Sequence, residues 1–173
     1  MDNLRFTIAP ADLPEGDFMA KYGGIYEHSP WVAATLFGAG LGPQDSHLSI
    51  FAGRMADIVD AAGHDAQMAL LRVHPELAGK LAIAGGLTSE SNSEQAGAGL
   101  GACSPSEFAN FQDFNARYGA SFGHPFIIAV RGLTRGDILA AFQTRLCNDA
   151  ATEFATALAE VHKIARLRLA DLC

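Results

Sequence analysis

Three short stretches gather ionisable and amide side chains inside otherwise apolar text: "HPELAGK" from His74, "LTSESNSEQAGAGL" from Leu87, and "FGHPFIIAVRG" from Phe122. An imidazole titrates near neutral pH, at about 6.5 when unperturbed, so His74 has the chemistry of a proton carrier. Pro75 behind it disfavours helical backbone at His74 and so restricts where the ring points. The plainer reading, a helix-end histidine bonded to a nearby carbonyl, is equally compatible with the spacing. Ser91 and Glu94 stand at capping-box spacing and could simply open a helix. The amide hydrogens of such a helix start also suit an anionic or carbonyl-rich ligand, with Gln95 beside them and Gly97 and Gly99 permitting close backbone approach. Arg131 ends an apolar run. It either covers that run with its stem or presents a planar fork to a carboxylate or imide-like edge. His124 is either its companion or a turn residue before Pro125.

Other chemistries find little support. His74, His124 and Glu94 have no helical ligand spacing, and neither an HExxH nor a paired-cysteine motif occurs, so no metal is expected. Nucleophile elbows, P-loops and dinucleotide-binding fingerprints are missing from the text. The net charge of -7, from 19 acidic and 12 basic residues, opposes binding to nucleic acid. Cys103, Cys147 and Cys173 are odd in number and widely spread, which points to a reducing compartment rather than a disulfide framework. The opening "MDNLRFTIAPADLPEG" does not read as an export signal. No apolar run reaches the roughly 18 to 20 residues a membrane-spanning helix needs, and no membrane partner is expected.

The elements that must position these residues are mostly helical. "DSHLSIFAGRMADIVDAAGH" places Leu48, Phe51, Met55, Ile58, Val59 and Ala62 on one side, with Asp45 or Ser46 as cap and Gly63 as stop. "SPSEFANFQDFNARYG" has Ser104 and Glu107 at capping-box spacing, Pro105 at the first helical position, and a stripe of Phe108, Phe111, Phe114 and Tyr118 ending near Gly119. "SPWVAATL" begins a helix with Ser29 as cap, and "HDAQMALLRV" makes one that stops before His74. Two more fill the C-terminal forty residues, capped by Thr134 and by Asn148 or Asp149, with Ile138, Leu139, Phe142, Phe154, Leu158, Val161, Ile164 and Leu167 inside. The glycines at 38 to 42 and at 85 to 86 mark loops. Only "PFIIAV", residues 125 to 130, looks strand-like. With no similar run to pair with, it is expected as an extended segment or a helix start threaded into an all-α fold. At 173 residues and 49% hydrophobic content, one compact single-domain helical bundle over 1–173 is the expectation.

Taken together and in order, "GGIYEHSPWVA" at 23 to 33, "HPELAGK", "LTSESNSEQAGAGL" and "FQDFNARYGASFGHPFIIAVRG" resemble the 2-oxo-4-hydroxy-4-carboxy-5-ureidoimidazoline (OHCU) decarboxylases of urate breakdown. The resemblance implies a cofactor-free, all-α enzyme, usually a homodimer, that converts OHCU to (S)-allantoin and carbon dioxide. By similarity, His74 is the principal catalytic residue, while Ser91, Glu94, Gln95 and Arg131 hold the substrate. Pro75 and the backbone of Ile127, Ile128 and Ala129 would line the same pocket. Animal and plant members often end in a peroxisomal signal. This sequence ends in Leu172-Cys173, which favours a cytoplasmic, bacterial-type enzyme. Two other readings remain: a non-catalytic helical interaction domain whose polar segments are caps and turns, and a hydrolase of a related ureide that uses His74 as general base.

Overall fold

The computed structural model describes residues 4–79 and 87–173. The loop glycines expected at 85 and 86 lie outside them. The fold is all-α: its helices are α1 (Glu15–Tyr22), α2 (Trp31–Gly38), α3 (Leu48–Ala61), α4 (His64–Arg72), α5 (Ser89–Gly97), α6 (Pro105–Phe122), α7 (Arg135–Arg145) and α8 (Ala150–Ala170). Extended pairing among the described residues is limited to one antiparallel bridge between Arg5 and His47. The chain forms two compact units. One takes the residues up to Val73 together with His162–Cys173, and the other runs from His74 to Val161.

In the first unit, Phe6, Phe18, Tyr22 and Phe51 meet ring to ring with centroids 4.8 to 6.1 Å apart. Of the α3 stripe, Leu48, Phe51, Met55 and Val59 are fully buried and Ile58 half-buried, while Ala62 lies past the helix end and is exposed. The α3 cap differs from expectation. The helix starts at Leu48 after His47, without a side-chain cap. Asp45 instead turns back, its carboxylate accepting from Gly42 N at 2.7 Å and from Arg54 Nη1 at 2.7 Å. The "YEHSP" text builds internal ties: buried Glu27 accepts from Arg168 Nη1 at 2.8 Å. Tyr26 Oη meets His162 Nδ1 at 2.8 Å, and the other ring nitrogen of that histidine faces Asp60 at 3.1 Å.

The second unit contains every candidate site residue. Its core joins Leu77, Leu100, Phe111, Tyr118, Phe126, Ile138 and Phe142, all buried. Phe126 stacks on Phe142 at 3.7 Å, and Tyr118 meets both rings edge-on. Removing so much aromatic surface from water supplies most of the drive to fold here. Ser104 and Glu107 form the reciprocal capping box that opens α6, behind Pro105 at its first position. The helix outruns the expected stop at Gly119 and ends only where Gly123 takes φ +74°, a left-handed conformation that costs glycine nothing.

Hydrogen bonds from Ser104, backbone first and hydroxyl next, and then Arg135 pull the Glu107 carboxyl from its ordinary 4.5 down to about 2. A depressed folded-state pKa stabilises the protein above the unfolded value, and that stabilisation drains away as pH falls from about 4.5 towards 2. Glu107→Gln should therefore flatten the acid limb of the stability curve. Urea midpoints compared over that window check this, and equal slopes in variant and parent would contradict it.

Candidate active site

His74 follows Val73, the C-cap of α4, and is buried, with 9% of its surface exposed. The loop it opens, His74 to Gly79, has no helical ladder, and Ala78 sits at φ +49°. A left-handed non-glycine residue costs about 1 kcal/mol or more, so something must hold it. Three side-chain amides do. Gln95 accepts from Ala78 N at 3.1 Å through Oε1 and donates to Glu76 O at 3.4 Å through Nε2. Asn115 Nδ2 donates to Leu77 O at 2.9 Å, and Gln112 Nε2 to Ala78 O at 3.0 Å. The carbonyls of three consecutive residues thus each accept a carboxamide hydrogen. Gly79 closes the loop with its N–H on Glu76 O at 3.3 Å. A Cβ at that position would stand 2.9 Å from the Glu76 Cβ, so the glycine is required by space.

Ser91, Glu94 and Gln95 lie on α5, but not as its cap. Thr88 is the N-cap, its hydroxyl accepting from Ser91 N at 3.2 Å. Ser91 and Glu94 therefore sit inside the helix. Ser91 and Gln95, four residues apart, are buried on one face, and Glu94 is half-buried.

The segment from Pro125 to Val130 forms neither a helix start nor part of a sheet. Side chains answer its backbone in place of a neighbouring strand. Arg145 Nη1 donates to Ile127 O at 2.7 Å, and Ala129 N donates to Glu160 Oε2 at 2.7 Å. The Arg145 guanidinium lies 4.4 Å from the Phe126 ring centroid and binds Glu153 Oε1 through Nε at 2.8 Å and Nη2 at 2.5 Å. Glu153 also accepts from the Tyr118 hydroxyl and from Asn148 Nδ2, the latter at 2.8 Å. Burial, followed by the Glu153 hydrogen bond, drives the Tyr118 phenol far above its ordinary range, so it remains a donor at any working pH.

Beyond Val130 the chain turns. Leu133 N bonds Val130 O at 3.0 Å while Gly132 adopts φ +82°, the glycine-requiring third position of a type II turn. Exposed Arg131 occupies the second position. The His124 ring is buried, packs edge-on to Tyr118 at 5.5 Å, and its Nδ1 meets Pro125 O at 2.9 Å. A carbonyl only accepts, so that nitrogen carries the hydrogen.

Gln95 and the His74 loop are thus bonded to one another, while Ile127, Ala129 and Arg131 share a separately braced segment. Sequence reasoning missed Gln112, Asn115, Arg145, Asn148, Glu153 and Glu160. Asn115 did leave a signal. It stands four residues after Phe111 and three before Tyr118, on the buried stripe itself, where an unpartnered amide would be costly.

The comparisons with known proteins converge on one family. The family model for OHCU decarboxylase matches residues 11–170, and the chain belongs to that family. It is 39% identical over 159 residues to the 2-oxo-4-hydroxy-4-carboxy-5-ureidoimidazoline decarboxylase of Haloferax volcanii, covering 92% of this chain and 90% of the relative. It is 41% identical over 150 residues to a uric acid degradation bifunctional protein of Bacillus subtilis, of which the chain spans only 29%. Among solved structures it is similar to (S)-allantoin synthase, with a TM-score of 0.73 and 30% identity over 94% of this chain and 52% of that one.

Arg145→Met keeps much of the stem but abandons the buried Glu153 carboxylate and the Ile127 carbonyl. Breaking a buried pair from one side costs about 3 to 5 kcal/mol. Urea unfolding of the variant checks this, and a loss under about 1 kcal/mol would contradict a bracing role for the guanidinium.

Proposed function

We propose that the protein is a carboxy-lyase that decarboxylates OHCU to (S)-allantoin and carbon dioxide, the third step of urate degradation. The observation that carries this reading is the full-length match. The family model spans both compact units, and the Haloferax volcanii relative, named for this activity, is matched over nine-tenths of both chains. The same span supports one functional domain over 1–173.

The chemistry asks little beyond positioning and proton control. When the bond to the departing carboxylate breaks, its electron pair enters the ring and is accepted by the adjacent C=N. No electron sink beyond the substrate is needed. His74 serves as the catalytic residue, engaging the 4-hydroxyl beside the carboxylate and managing the proton that fixes the product's configuration. Its loop is preorganised by the amides of Gln95, Gln112 and Asn115, which supports that role, since a catalytic group must be held in near-attack geometry.

Glu94 and Gln95 grip the ureido and ring amides, with Ser91 on the same helix. Gln95 spends one amide hydrogen on the loop and keeps another for a ligand. Arg131, presented at the tip of its turn, holds a carbonyl edge by charge-assisted bonds. Pro75 and the backbone of Ile127, Ile128 and Ala129 line the pocket. The bracing of that backbone by Arg145 and Glu160 supports this assignment. A homodimer working in the cytoplasm completes the reading, and none of the described helices is long and apolar enough to cross a membrane.

Freshly generated OHCU decays spontaneously to racemic allantoin, so circular dichroism distinguishes catalysis from decay. The protein should produce a growing (S)-allantoin signal with release of carbon dioxide. Racemic product at the spontaneous rate would refute the reading, and a chiral product without carbon dioxide would favour a ureide hydrolase. His74→Asn should leave the fold intact and lower enantioselective turnover by about a hundredfold or more. Near-parental turnover would remove His74 from the mechanism.

A further inference from the structure

The reading above assigns roles to residues that would touch the substrate. The structure shows a second set, on α6, whose amide nitrogens bond the loop. Gln112 and Asn115 are three residues apart and therefore share one helix face. Both point their amide nitrogens at consecutive loop carbonyls, Ala78 O at 3.0 Å and Leu77 O at 2.9 Å. Gln95, from α5, takes the remaining carbonyl, Glu76 O, and the Ala78 N–H. A loop of six residues is thereby held from two helices at each of its central peptides.

Water could serve carbonyls at a surface loop, yet Leu77 and Ala78 are buried and Ala78 is in a left-handed conformation. Releasing either amide strands a buried acceptor and frees a strained peptide to relax. The relaxation runs back through Leu77, Glu76 and Pro75 to His74. The proline transmits it, because its ring fixes one torsion and leaves few others to absorb the change.

We propose that Gln112 and Asn115 are positioning residues for the reaction: by donating to the Ala78 and Leu77 carbonyls they set the His74 imidazole for turnover without contacting the substrate. The proposal rests on the decarboxylase reading. It separates α6, which carries Gln112 and Asn115, from α5, which carries the residues assigned to binding and whose Gln95 also donates to the loop. Loss of an α6 donor should therefore lower kcat and leave KM nearly unchanged.

The test uses the full chain and freshly generated OHCU, with the parent enzyme in the same assay. Gln112 is half-buried and tolerates exchange better than buried Asn115. Gln112→Met keeps the side chain's length and removes the donor, while Gln112→Lys restores an N–H donor at similar reach. Rates are normalised to folded protein from the far-ultraviolet signal at the assay temperature. The Met variant should lose about tenfold to a hundredfold in kcat, with KM within about threefold of the parent. The Lys variant should regain most of the loss. Asn115→Asp, which turns the donor into an acceptor facing Leu77 O, should show the same split in whatever fraction folds. Parental kcat in Gln112→Met, a loss that vanishes on normalisation, or a Lys variant no better than the Met variant would each overturn the proposal. A parent enzyme that forms no (S)-allantoin would overturn the decarboxylase reading and this inference with it.

Discussion

The carbonyl of Ile127, the N–H of Ala129 and the carbonyls of Glu76, Leu77 and Ala78 share a predicament. They belong to backbone that is neither helix nor sheet, in a protein whose regular structure is helical. A buried amide or carbonyl without a partner costs as much as a lost hydrogen bond, so such segments persist only if side chains reach them. Here they do, from Arg145 and Glu160 on one segment and from Gln95, Gln112 and Asn115 on the other. Both candidate substrate-facing segments thus depend on donors and acceptors delivered by helices behind them.

The two braces differ in kind, and the difference suits their tasks. The segment from Pro125 to Val130 is held by charged groups embedded in a network of Tyr118, Arg145, Asn148 and Glu153, with the Phe126 ring against the guanidinium. Such pairs are expensive to desolvate and still more expensive to break, which favours one conformation over its neighbours. The side chains seen to brace the His74 loop are neutral amides. Carboxamides do not titrate, so these bonds persist across the pH range in which an imidazole changes charge. An ionisable brace there would couple loop geometry to the proton that the site is proposed to handle.

Much of this was legible in the sequence, because helices announce themselves locally. The Ser104 to Glu107 box, the Phe111 to Tyr118 stripe and the stop before His74-Pro75 are patterns within one or two turns, and they form where expected. That residues 125 to 130 join no sheet was also readable, since a lone apolar run has no strand to pair with. The braces were not, because each joins residues far apart in sequence: Gln112 to Ala78 across 34 positions and Asn115 to Leu77 across 38. Local errors had local causes. Ser91 and Glu94 match a capping box, but Thr88 lies three residues earlier and takes the same N–H, so it wins the cap. Asp45 reads as a cap for α3, yet its carboxylate is already committed to Gly42 and Arg54.

The division between side chains that meet the ligand and side chains that hold backbone can be observed in one measurement: a crystal structure of the protein grown with (S)-allantoin. The product should lie against the imidazole of His74, the Glu94 carboxylate and the Arg131 fork, with the Gln112 and Asn115 amides still on the Ala78 and Leu77 carbonyls. Product bound away from His74, or Gln112 and Asn115 swung off the loop and onto the ligand, would contradict that division.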